Sequence, residues 1–600
     1  MNRISSTCLT LPLLLAALAT ACDIEPDAGE DTDGASDTDD SSGDPSGDPS
    51  GEDTDDGSTG EMGECMTLAQ ADIAGPTTLP AGCYDVQTFL SVDAALTLEA
   101  GAELRFAPVA GMFVSGGGSL TAAGTAEEPV VFDAESTNWL GLEFLGTASA
   151  DNQLTGVEIL GVDGDAVTLS SSTVAITGST IAENSGLAVQ VDDGSTITIS
   201  GSTFTQNAGP LEVGVAHVEG LDTDNDFTGN DDDVVTVRSG TVEDDVTWLD
   251  VGVPLAMTGN LGVDGDLVFA EGMTLVMPLD ASISVATTGS LAAMGSADAA
   301  VTIRGAEAQP GYWKGIAFHS KATANALVHV MLENAGSSQW NGFDITNAAV
   351  WLPEESKVVI SGTTIAESGG AAVMALSGSD LTGFANNTIV DNEESLVLSA
   401  NLPAYLDGSN TFSNNGDDVI EIYDSSSEDA QLDDDAWPEV GLPYRIMERM
   451  YVVGDWTIEP GVEIQVAQDV NINVESTGSV NAVGTSDAPI RIVGVEPLQG
   501  YWMGIEIHSV SASNVFDNVE LRHGGSDGFN GSEDSDAILF IGGFGGDGSV
   551  TLRNSTLSDS GGYGVSVWTD SSLLGCDGVT FTDNAKADVF VSPNGAASGC

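Results

Sequence analysis

Gly178-Ser179-Thr180-Ile181-Ala182-Glu183-Asn184 is the line on which the reading of this chain turns. Its pattern is a small or polar pair, Thr or Asp, one apolar residue, two further positions, and an Asn or Ser. The apolar position returns at Phe204 and Phe227, at Ile365, Ile389 and Phe412, and at Leu557 and Phe581. Within each group the steps are nearly equal, and a fixed period of about 23 residues is the signature of a solenoid, whose stacked coils bury together what none can bury alone. Gly, Ser, Thr, Ala, Val and Asp dominate, and no apolar pattern at helical spacing is sustained. The body therefore reads as all-β, with many short strands joined by tight turns. In stretches such as Ser195-Thr196-Ile197-Thr198-Ile199, alternate residues point inward and outward, and the Gly, Asn and Asp that follow suit turns with positive φ.

A longer repeat lies over the coil. Gly101 and Gly118, Gly272 and Gly289, and Gly461 and Gly478 are three pairs of identical spacing. Each second Gly opens a matching line, beginning Gly118-Ser119-Leu120, Gly289-Ser290-Leu291 and Gly478-Ser479-Val480. Trp313 follows Gly289, and Trp502 follows Gly478, at one shared distance, in Tyr312-Trp313-Lys314-Gly315-Ile316 and Tyr501-Trp502-Met503-Gly504-Ile505. Three units result, at about 80–250, 251–436 and 437–600.

These three lines resemble the right-handed parallel β-helix repeats of exported bacterial proteins, especially Gram-negative lipoproteins with acidic linkers. The resemblance covers nearly all of 80–600 and implies a single-stranded right-handed parallel β-helix of about twenty coils. It leaves function open, because pectate-lyase-like and polygalacturonase-like enzymes, adhesins and proteins of unknown role share the fold.

Residues 1–22 carry Arg3, an apolar stretch over 9–21 and the small residues Ala19-Thr20-Ala21 before Cys22, the regions of an export signal. The match to a lipoprotein signal implies lipidation of Cys22 and makes that lipid the sole membrane contact. Residues 23–64 hold 17 acidic residues and no basic one. That composition cannot bury a core, and as a flexible tether it would reach about 35 Å. The expectation is an exported protein anchored at the outer membrane or cell surface rather than the inner membrane, and monomeric.

Four cysteines remain for the body at 65–600. An exported protein meets an oxidising compartment and solenoid ends need closing, so Cys65–Cys83 and Cys576–Cys600 disulfides are expected. The formal charge of −80, from 93 acidic and 13 basic residues, argues against nucleic acid and anionic membrane surfaces as partners. No cofactor is demanded by any motif. Ca²⁺ is the one ion with candidate sites, on the acidic turns Asp231-Asp232-Asp233 and Asp417-Asp418; an EF-hand over 222–233 is disfavoured because Phe227 stands where that loop needs Gly.

The candidate ligand-binding residues are aromatic. Tyr312, Trp313 and His319 return as Tyr501, Trp502 and His508, and rings repeated along a solenoid suit the faces of sugars. Because Trp recurs in all three units, with Trp139 in the first, burial at a coil corner is its structural alternative. The stretches 338–343 and 525–536 read as corresponding projecting loops, which would put Trp340, Phe343 and Phe529 on a binding lip. No catalytic set is found: no Gly-His-Gly line, no basic residue paired with an acidic cluster and no zinc-type His pair. The functional expectation is a binding or display protein that contacts polysaccharide or another surface, such as a surface protein. A polysaccharide lyase or glycoside hydrolase and a structural spacer are the alternatives.

Overall fold

The computed structural model describes residues 65–68, 72–136, 138–341, 347–424, 430–529, 531, 534–598 and 600. The export signal, Cys22, the acidic linker and Phe343 lie outside these residues. The body, Glu64–Cys600, forms one unit, an all-β parallel solenoid of about 21 turns. Each coil contributes up to three short strands, and every third strand pairs in parallel with its predecessor, giving sheets of 7, 15, 6, 14, 5, 7 and 7 strands.

The repeated apolar position stacks on itself. Ile159 pairs with Ile181 and Ile181 with Phe204, Ile365 with Ile389 and then Phe412, and Leu557 with Phe581. Phe204 and Phe227 stack at 5.1 Å. The second residue after each of these positions turns the corner in the left-handed region, as Glu183, Gln206, Glu367, Asp391 and Asn414 do at φ of 54–59°. Such a backbone costs a non-glycine residue about 1–2 kcal/mol, and the next residue offsets it. Asn184 Nδ2 donates to Asn207 Oδ1 at 2.8 Å, and Asn207 Nδ2 to Asn230 Oδ1 at 3.0 Å, so a ladder of buried amides satisfies the backbone that leaves the sheets.

Two interruptions set the relation of the units. A 3₁₀ turn at Val215–Gly220 follows the strand Gly209–Val213, and a second at Pro403–Tyr405 follows Glu394–Leu398. The 15-stranded sheet runs straight through the first interruption, pairing Leu211 with Val235. The 14-stranded sheet runs through the second, pairing Glu394 with Asp417 across a bulge. Each unit thus restarts one face further round the solenoid. The strand after the recurring Trp is Leu142–Leu145 on the 15-stranded sheet, Gly315–Phe318 on the 14-stranded sheet, and Gly504–Ile507 on a seven-stranded sheet.

The interior is a continuous column of Val, Ile, Leu, Phe and Trp. Cys65 is bonded to Cys83, with Cα atoms 4.7 Å apart, and Cys576 to Cys600 at 5.1 Å. Both bridges agree with the sequence expectation, and each closes a terminal coil.

Candidate functional site

Because the units step round the solenoid, their repeated residues form no single stripe. Trp139, Trp313 and Trp502 are fully buried, and their indole N–H groups donate to the carbonyls of Leu160, Glu333 and Arg522 at 2.7–2.8 Å. They are corner residues of the core. Tyr312 and Tyr501 are half-buried against the same core.

The chemistry lies on the outward rows instead. On the seven-stranded sheet of unit three that carries Gly504–Ile507, the outward row reads Glu506, Phe540, Ser566, Phe590 in register. Phe540 is fully buried although it points away from the core. Phe529 lies flat on it, with centroids 5.5 Å apart and planes 12° apart, and Trp568 meets its edge at 6.1 Å. Phe544 abuts Trp568 at 6.4 Å and is 84% exposed. Beside them Tyr563 stacks on Phe590 at 5.0 Å, and the Lys586 ammonium sits 5.1 Å from the Tyr563 ring while pairing with Asp536 at 2.7 Å. Six aromatic side chains thus share one face, flanked by a cation and carboxylates.

The corresponding face of unit two is built alike and closed over. Trp340 stacks on Trp351 at 5.7 Å with planes 7° apart, donates its indole N–H to the Ala348 carbonyl at 3.1 Å, and carries the Lys314 ammonium 4.8 Å above it. Trp351 is 7% exposed. Trp340 and Phe529 are half-buried rather than projecting. Each folds its aromatic ring back on the sheet, because an outward aromatic row offers apolar area that water would otherwise cover.

The histidines part company. His508 Nε2 lies 3.1 Å from Glu506 Oε1, with both side chains more than nine-tenths buried. That carboxylate holds the His508 pKa above its ordinary value. His319 meets the edge of Trp351 at 5.5 Å. Unit two has Ala317 where unit three has Glu506, so desolvation prevails and the His319 pKa is lowered.

Above Trp351 the outward row of the 14-stranded sheet continues through Met374, Val397, Glu421, Arg445 and Gln465. Glu394 pairs in register with Asp417 alongside, and Arg445 forms an ion pair with Asp417 and donates to Gln465 at 3.1 Å. Burial first, and then the neighbouring carboxylate of Glu394, pushes Glu421 up to about 7; burial likewise raises Glu394. A carboxyl group that titrates near neutral pH in a cluster with a second carboxyl group is equipped for general acid chemistry. The sequence reading missed both glutamates. The signal was present, since Glu394 and Asp417, like Glu421 and Arg445, stand one coil apart along the chain, but only outward orientation separates them from other acidic pairs.

The candidate Ca²⁺ residues have other partners. Asp233 Oδ1 accepts the Asn230 backbone N–H at 2.8 Å, Asp418 Oδ1 accepts Asn415 Nδ2 at 2.9 Å, and Asp417 engages Arg445. Asp231 and Asp232 are exposed. Among the described residues the one group spaced to hold a metal ion is Cys65, Cys83 and Asp85, and its two sulfurs are bonded to each other.

Residues 136–232, which contain the Asn184–Asn207–Asn230 ladder, match the family model described as right handed beta helix region. The body is a right-handed parallel β-helix. No curated protein and no solved structure matches the chain. The matched segment of the β-helix lies in unit one, away from both the unit-three platform and the Glu394–Glu421 pair, so the match bears on fold alone.

Proposed function

We propose that this β-helix binds polysaccharide through the aromatic face of its last coils, displayed at the cell envelope by a lipid on Cys22 and the acidic linker. The observation that carries the reading is Phe544, 84% exposed beside Trp568 at the end of a connected set of rings. Planar rings stack on the C–H faces of sugars, while the carboxylate of Asp536 and the ammonium of Lys586 at the border suit hydroxyls and acidic groups. The test is affinity electrophoresis of the protein in gels containing neutral and acidic polysaccharides. A Phe544→Ala/Trp568→Ala variant should lose about tenfold in affinity, roughly 1.4 kcal/mol. A wild-type protein retarded by no polysaccharide overturns the reading.

A second reading, a glycoside hydrolase, rests on Glu421 with its carboxyl group pushed up to about 7 beside Glu394. One carboxyl group would protonate the leaving oxygen while the other assists attack on the sugar. New reducing ends released by the wild-type protein, and abolished in Glu421→Gln, would establish it. Release of none from a broad polysaccharide panel rejects it.

A further inference from the structure

The buried pair Glu506–His508 lies beneath a glycine-rich turn, Gly542-Gly543-Phe544-Gly545-Gly546-Asp547, whose ends are drawn together by an antiparallel bridge between Gly543 and Gly546. The turn presses on the pair so closely that side chains are excluded. A Cβ on Gly545 would stand 2.7–2.8 Å from three atoms of the imidazole, and one on Gly543 would stand 2.9 Å from Glu506 Oε1. Phe544, the exposed ring of the platform, sits at the tip of this turn.

His508 is 8% exposed. Its Nε2 meets Glu506, while Nδ1 faces the turn, where it makes no well-aligned hydrogen bond although the Gly546 carbonyl acts on it. A neutral imidazole offers one donor, and an imidazolium offers two. Glu506 on its own strand and Glu475 on the preceding coil both favour the charged form. The turn itself faces the ring with glycine backbone, its one carboxylate, Asp547, being exposed.

We propose that the glycine turn at 542–547 is a proton-dependent latch on the platform: protonated His508 bridges Glu506 and the Gly546 carbonyl and holds Phe544 beside Trp568, and loss of that proton frees the turn. The proposal concerns regulation of the face assigned above to polysaccharide and rests on that reading for its biological meaning, but the latch itself is testable without ligand. Since the His508 pKa is raised, the latch is fully closed below the ordinary histidine value of about 6.5 and is released as pH rises through the higher folded value.

The experiment is amide hydrogen exchange of the whole protein, read by mass spectrometry on peptides covering 540–548 and corrected for the intrinsic pH dependence of exchange. Between about pH 5.5 and about pH 9 the corrected rate in the turn should rise about tenfold or more, while peptides from 549–558 stay level. In His508→Gln, which keeps a polar group but cannot titrate, the turn should exchange fast at every pH. A level wild-type profile overturns the latch whether or not the variant folds. A rise that persists unchanged in His508→Gln, in protein that retains its β circular dichroism, overturns it equally. Polysaccharide affinity plays no part in either readout, so failure of the binding reading and failure of the latch are separate results.

Discussion

Asn415 donates its Nδ2 to Asp418 at 2.9 Å, three residues along the same coil, whereas the rung below it runs from Asn392 to Asn415, one coil up, at 3.1 Å. The same ending occurs at the first interruption, where Asn230 meets Asp233. Each ladder ends where its unit ends. A carboxylate takes the place of the missing next amide, because a buried Asn donor left without a partner costs about 1–3 kcal/mol.

Removing a middle rung should therefore cost more than altering an end. Asn207→Ala deletes donors to the Ile181 and Thr205 carbonyls and to Asn230 and strands the Asn184 amide that it accepts. A loss of about 2–3 kcal/mol is expected, against about 1 kcal/mol or less for Asp418→Asn, which keeps an acceptor. Urea unfolding followed by circular dichroism measures both.

Trp502→Ala should cost about 3–5 kcal/mol, as removal of a fully buried indole does, and Trp502→Phe less, with loss of the hydrogen bond to Arg522. Phe544→Ala should leave the unfolding midpoint within about 0.5 kcal/mol of wild type, since the ring is 84% exposed. Equal losses in the two alanine variants would contradict their assignment to core and surface.

Glu421 predicts a pH dependence with a definite sign. Its folded pKa is about 7, raised from 4.5, so between those values the folded state binds more proton than the unfolded state. Stability accordingly falls as pH rises through that window, by on the order of 2–3 kcal/mol for this group. Glu421→Gln should remove the fall and be more stable than wild type at about pH 8. A parallel pair of urea-midpoint profiles would show that the carboxyl group is not held protonated by the fold.

Breaking the Cys576–Cys600 bridge, whose partners are separated by 24 positions, should loosen the last coil and leave the interior intact. A Cys576→Ser/Cys600→Ser variant is expected to lose about 2–4 kcal/mol of local stability. Faster amide exchange in the strands Thr580–Thr582 and Val589–Val591, with unchanged exchange at Ile365 and Ile389, is the pattern that would be read.

Sequence was sufficient for the coil because identical positions stack directly: Ile181 lies over Ile159 and under Phe204, so the spatial repeat is also a repeat of letters. The aromatic candidates divided by the same logic. Trp313 and Trp502 recur because every unit needs a filled corner. Trp340 and Phe529 recur because each outward row needs a cover, Trp351 in one unit and Phe540 in the other.

The face to which each unit belongs left no trace in the period. The turns at Val215–Gly220 and Pro403–Tyr405 interrupt the regular winding of strands while the count along the chain runs on, and the repeat re-enters one sheet later. The outward rows were equally silent, since Glu421, Arg445, Phe540 and Phe590 occupy positions that the buried column leaves unconstrained. What the sequence alone determined is the stacked coil, its period and its closing disulfides, because inward packing and ladder hydrogen bonds demand the same residue at every turn. Which outward side chains meet, and so where carboxyl groups gather around an arginine or rings share a face, was decided only by the tertiary winding, which joins residues a full coil or more apart through no pattern of their own.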